Sequence, residues 1–152
     1  MSDPKHDDRL ARLEEQLRRA EAVTSELISD VIAVACVRFG TLGAATTVKV
    51  KWLIEAGAWT DAILALLELE LPQWKLRRLV KDDGEWFCSL SKQLGLPLGY
   101  DEVAEATHDS LPLAILIALL QARHATVSAT GVTTVPQVRS VTGCVVCCDN
   151  FA

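Results

Sequence analysis

The stretch that decides the fold runs from Gln73 to Ser91, "QWKLRRLVKDDGEWFCSLS". Asp83-Gly84 is the kind of pair that accepts positive φ in a two-residue hairpin turn, so two strands are predicted to flank it. With that turn, Lys81 faces Trp86, Val80 faces Phe87, Leu79 faces Cys88 and Arg77 faces Leu90. Leu76, Val80 and Phe87 then share one face, and Leu79, Trp86, Cys88 and Leu90 share the other. A slipped turn with Gly84 in a bulge would exchange these faces. Neither face is purely polar, and an isolated two-stranded ribbon is marginal in water. The hairpin should therefore lie against helices, with Arg77, Arg78 and Lys81 at its rim.

Those helices are sought on either side. Upstream, "WTDAILALLELELP" has Thr60 or Asp61 near its start, Ile63, Leu64, Leu66, Leu67 and Leu71 as apolar surface, and Pro72 as its stop, which reads as a core helix. Before it, "TTVKVKWLIEAG" fits a helix ending ahead of Gly57, although Val48 and Val50 alternating with Lys49 and Lys51 also suit a strand. The run "VIAVACVRFG" is read as helix continued into the core. Farther back, Leu10, Leu13, Leu17, Ala20, Thr24, Leu27, Val31 and Val34 follow at alternating spacings of three and four, a single helical stripe with heptad spacing. Glu14 to Arg18 and Glu15 to Arg19 are i,i+4 pairs beside it. The stripe either packs on its own domain or forms a seam with a second copy or a partner, and Ala20 and Thr24 weaken the seam.

Downstream of the hairpin, "GLPLGY" reads as a linker and Asp101 to Thr107 as a short acidic helix. In "HDSLPLAILIALLQARH", Asp109 or Ser110 is a natural N-cap, Pro112 falls in the first turn, and Arg123 lies near the C-terminal dipole. This helix is apolar almost all round and should be central. From Ala125 onward Thr, Val, Ser and Gly dominate without helical period. A loose extension is expected, with a transient strand near Val132 to Val135.

A chain of 152 residues is long enough for one domain with its own core. A formal charge of −5 disfavours non-specific capture of nucleic acid. "MSDPKHDDRL" lacks the apolar core and cleavage site of a secretory signal, so a cytoplasmic location is expected. "LPLAILIALL", Leu111 to Leu120, is shorter than the roughly 20 residues of a membrane span. No membrane association is expected.

The densest chemistry in the sequence is "GCVVCCDN", Gly143 to Asn150, with three of the five cysteines. Cys144 and Cys147 have Cys-x-x-Cys spacing, half of a tetrahedral metal site or a redox dithiol. They are weak candidates, because Cys148 is badly placed to join them and Cys36 and Cys88 read as small buried hydrophobes. His6, His108 and His124 compose no catalytic arrangement, and contiguous His108, Asp109 and Ser110 cannot converge as a triad does. No phosphate or calcium loop is present, and no cofactor is expected. Trp52, Trp59, Trp74 and Trp86 read first as core or near-core residues. Trp74 and Trp86, close to Arg77, Arg78 and Lys81, also suit an aromatic and basic surface for a protein partner.

The segments "LELELPQWKLRRLVKDDGEWFCSLS" and "LPLAILIALLQAR" resemble those of small uncharacterised proteins of soil and nodule-forming alphaproteobacteria. The resemblance spans roughly Gly57 to Arg123 and is specific at Leu69 to Trp74 and Asp82 to Trp86. It implies a bacterial cytoplasmic protein with a related core, and it brings no activity or ligand.

The sequence therefore predicts an α+β fold, a mainly helical single domain with a two-stranded antiparallel hairpin and a long N-terminal helix. Residues 1–8 form a flexible start, 9–124 the domain with its hairpin at 74–91, and 125–152 the extension. The expected role is interaction with a protein partner or homo-oligomerisation, carried by Leu10, Leu13, Leu17, Leu27, Trp74, Arg77, Arg78 and Trp86. The rivals are a small-molecule or enzymatic site on the hairpin, and metal or thiol chemistry at the C-terminal cysteines.

Overall fold

The computed structural model describes residues 4–41, 43–93, 95 and 101–129. The elements are α1 (Pro4–Arg19), α2 (Ser25–Ala35), α3 (Ala44–Glu55), α4 (Trp59–Glu70), β1 (Lys75–Asp82), β2 (Glu85–Ser91), β3 (Val103–His108) and α5 (Leu111–Ala129). The expected turn forms, with positive φ at both Asp83 (47°) and Gly84 (90°). That backbone twist matches the right-handed twist of the strands it joins. Lys81, Val80 and Leu79 pair with Trp86, Phe87 and Cys88 as read from the sequence.

The fold differs from the expectation in its sheet. Three antiparallel strands form it in the order β1-β2-β3, replacing the two-stranded hairpin. The third strand is Val103–His108, and it takes up most of the segment Asp101 to Thr107 expected to be a short acidic helix. Glu and Ala favour helix, but "VAEATH" also alternates, and burial decides between the two. Ala104 and Ala106 are buried while Glu105 and Thr107 face solvent. Pairing Phe87 with Thr107 and Cys88 with Ala106 satisfies the free edge of β2, which would otherwise leave a row of amide groups unmatched.

A second difference lies at the far end of β1. A bulge between Leu76 and Arg78 shifts the register, so Leu90 pairs with Leu76 and Arg77 is left without a partner strand residue. Leu76 thereby stands opposite Leu90, on the other face from the one expected for it, and stays 38% exposed. Arg77 leaves the ladder and reaches Asp101, 2.9 Å away.

The N-terminal stripe is carried by two helices, since the chain turns between Arg19 and Ser25. Thr24, the weakest residue of the proposed seam, is the N-cap of α2, its hydroxyl accepting from the Leu27 N–H at 3.2 Å. A Thr cap stabilises a helix by about 1 kcal/mol, enough to end one helix and start another where Ala20 supplies little burial.

All of this is arranged around α5. Leu113 through Leu120 are almost wholly buried, as an all-apolar helix requires. The sheet covers one side of it through β2 and β3, and α1 and α4 pack on others. By length and composition alone α5 is long and apolar enough to cross a membrane. Here Leu113 to Leu120 and Ala122 are covered by the chain's own elements, which buries half of that span. The helix also runs to Ala129, beyond the expected end at residue 124, which places Arg123 inside it and away from the C-terminal dipole.

Candidate functional site

The residues expected to act together on the hairpin are held on different surfaces. Trp74 precedes β1 and is only 2% exposed. Its indole N–H donates to Thr126 Oγ1 at 3.2 Å, and Lys92 Nζ stands 5.3 Å from the ring centre. Arg77 is committed to Asp101. Arg78 lies over the Phe87 ring at 5.9 Å, on the sheet face turned away from α5. Trp86 is half-buried on the α5 side, with Lys81 Nζ 5.6 Å from its ring. The open face carries a shallow depression of about 430 Å³ in which Arg78, Val80, Phe87 and Thr107 meet Asp82 and Glu85. Arg78 and Phe87 give it one cation and one ring, and its rim is acidic.

The N-terminal stripe is spent inside the molecule. Leu10, Leu13 and Leu17 on α1 and Leu27 on α2 are buried in the core. Gln121 of α5 donates to Glu14 Oε1 at 3.1 Å, a polar contact beside the same seam. In this conformation α5 occupies the place that a second helix would take.

Two features escaped the sequence reading. The first is on α3, which is helical where a strand was also open. Val50 and Ile54 turn inward, and the opposite side carries Val48 and Trp52 at 62% and 64% exposure. These two stand at i,i+4, one above the other on one helical face, with Lys49, Lys51 and Glu55 exposed beside them. The signal was present in "TTVKVKWLIEAG": read at helical period, its apolar residues divide onto opposite faces.

The second is a cleft between the end of α4, the turn into β1 and the C-terminal half of α5, about 180 Å³ in volume. Arg38, Glu70, Gln73, Trp74, Arg123 and Thr126 contribute to its lining. Glu70 is 3% exposed; its Oε2 accepts from the Arg38 backbone N–H at 3.0 Å, while Oε1 has no donor among the described residues. Arg123 Nε, also buried, has no acceptor among the described residues. Cys36 lies within the field of both: burial first, and Glu70 second, push its thiol up to about 12, against the opposing pull of Arg123. Glu70 was legible as an inward residue, because Ile63, Leu66, Leu67 and Glu70 are i, i+3, i+4 and i+7 on α4.

Among the described residues no group of three or more His, Cys, Asp or Glu side chains could hold a metal ion. Cys144 and Cys147, with the strand expected near Val132 to Val135, lie outside the described residues. Cys36 and Cys88 are free and buried. No protein-family model matches the chain, and no curated protein or solved structure is significantly similar to it.

Proposed function

We propose that the chain is a protein-interaction module that presents α3 to a partner. The observation that carries this reading is the exposed Trp52 above Val48. The chain buries Leu113 to Leu120 of α5 almost completely, yet it leaves its largest apolar side chain type, a tryptophan, in water above Val48 on one face of α3. A tryptophan on such a face brings about 150–250 Å² of apolar surface to an interface and is a preferred anchor residue. Two anchors one helical turn apart fit the mode in which a helix lies in an apolar groove. The adjacent charges, Lys49 and Lys51 against Glu55, favour a groove whose rim carries carboxylates.

The test uses a photo-crosslinking amino acid at position 52 in the native cell, with a second at exposed Glu15 on α1 as control. A protein captured from position 52 and absent from position 15 is then purified and titrated. Trp52→Ala is expected to weaken that complex at least about tenfold, and Lys49→Glu with Lys51→Glu to slow association and flatten its salt dependence. Equal capture at both positions, or unaltered affinity of Trp52→Ala, would overturn the reading.

A further inference from the structure

The α4–α5 cleft has a chemistry of its own, separate from the α3 face. A buried carboxylate oxygen without a donor and a buried guanidinium N–H without an acceptor each cost about 1–3 kcal/mol or more of lost solvation. Among the described residues Glu70 Oε1 and Arg123 Nε are such a pair of orphans, one acceptor and one donor, on side chains that line the same cleft. They do not cancel each other, since among the described residues neither forms an ion pair. Arg38 stands exposed at the mouth and adds a second positive charge.

We propose that this cleft binds a small zwitterion, an α-amino acid with a short side chain. Its ammonium group supplies the donor that Glu70 lacks, and its carboxylate the acceptor that Arg123 lacks, with Arg38 free to swing onto the same carboxylate. A simple anion would be repelled by Glu70, and a simple cation by Arg38 and Arg123, so only a ligand bearing both charges satisfies both walls. The size agrees: about 180 Å³ of open space suits a small molecule and not a large one. The Trp74 indole N–H is already given to Thr126, so the donor side of this lining residue is spent, and Lys92 Nζ stands over its ring.

The experiment is calorimetric titration of the full chain with each of the twenty α-amino acids. Two truncated ligands accompany the best binder, the matching amine without carboxylate and the matching acid without ammonium. Saturable one-to-one binding by a short amino acid is expected, with at least tenfold weaker binding of either truncated ligand. Glu70→Gln, isosteric and without charge, should weaken binding about ten- to hundredfold, with the far-ultraviolet circular dichroism unchanged. If that variant does not fold, the Trp74 indole N–H resonance of the wild-type chain, assigned by its loss in Trp74→Phe, should shift on titration. Absence of binding by every amino acid, equal binding of a truncated ligand, undiminished binding by Glu70→Gln, or an unmoved Trp74 resonance would each overturn the proposal and leave the cleft a site for water alone.

Discussion

Asp101 ties three separate segments together with one carboxylate. Its Oδ2 accepts from the Ser91 hydroxyl and from Arg77 Nη1 at 2.9 Å, and its Oδ1 accepts from the Gln93 N–H at 2.9 Å. The Ser91 hydrogen bond is the main reason its pKa is lowered, with Gln93 and Arg77 adding to that effect and burial opposing it. A carboxylate whose folded pKa lies below its unfolded value, about 3.9 for Asp, contributes stability that is fully present above that value. The contribution is lost as pH falls through the lowered folded pKa. Asp101→Asn is therefore expected to lower the urea midpoint at pH 7, with the gap to wild type narrowing below about pH 4. A gap that stays constant from pH 7 to pH 3 would remove the carboxylate's charge from the account. The two buried thiols make a second prediction at this scale. Cys36 and Cys88 are both pushed up to about 12, chiefly by burial. At neutral pH such thiols are roughly one part in 10⁵ thiolate, the reactive form. In a chain with Cys144, Cys147 and Cys148 changed to serine, an aromatic disulfide reagent should titrate no thiol rapidly until denaturant is added, and then two. Fast reaction of either in the folded chain would contradict their burial.

At the scale of elements, the constraint is how closely α5 approaches the sheet. Ala104 and Ala106 face it from β3, and both are nearly fully buried. Ala106→Leu inserts three carbons where packing leaves no room, and overpacking of this kind costs about 1–3 kcal/mol. Thr107→Val, next in the strand but exposed on the open face, should stay within about 0.5 kcal/mol of wild type. Denaturant unfolding of the two variants checks the face assignment of β3, and equal effects would refute it. The hairpin turn and three of its pairs were legible because Asp83-Gly84 fixes them locally. The third strand was not, because the alternation of Ala with polar side chains spans only the four residues Ala104 to Thr107 and suits helix and strand alike. The edge of β2, which the hairpin leaves open, selects the strand, and that is a tertiary condition. The bulge at Arg77 was hidden for the same reason, since the carboxylate that Arg77 reaches, Asp101, lies 24 residues away. Thr24 was visible as a residue that weakened the stripe, yet its role as a cap depends on the chain turning there.

For the molecule as a whole, a heptad stripe and an all-apolar helix in one sequence have two solutions: they cover each other, or each finds cover in another chain. Periodicity is the same in both, so the sequence left the stripe open between core and interface. The chain takes the first solution, with Leu10, Leu13 and Leu17 against α5, and this moves the search for a partner to α3. Homodimerisation through the same stripe would require α1 to leave its own α5 for that of a second copy. The two surfaces are separable by mutation. Leu17 is wholly buried, so Leu17→Ala should lower the unfolding free energy by about 2–5 kcal/mol, as large-to-small changes in cores do. Trp52 is 64% exposed, and Trp52→Ala should change the same quantity by no more than about 0.5 kcal/mol. Both follow from chemical denaturation at a fixed low protein concentration, where association contributes little. If Trp52→Ala costs as much as Leu17→Ala, the α3 face is covered within the folded chain and is not an anchor. If Leu17→Ala costs little while Trp52→Ala is silent, α1 does not hold α5, and the stripe is again available to another molecule.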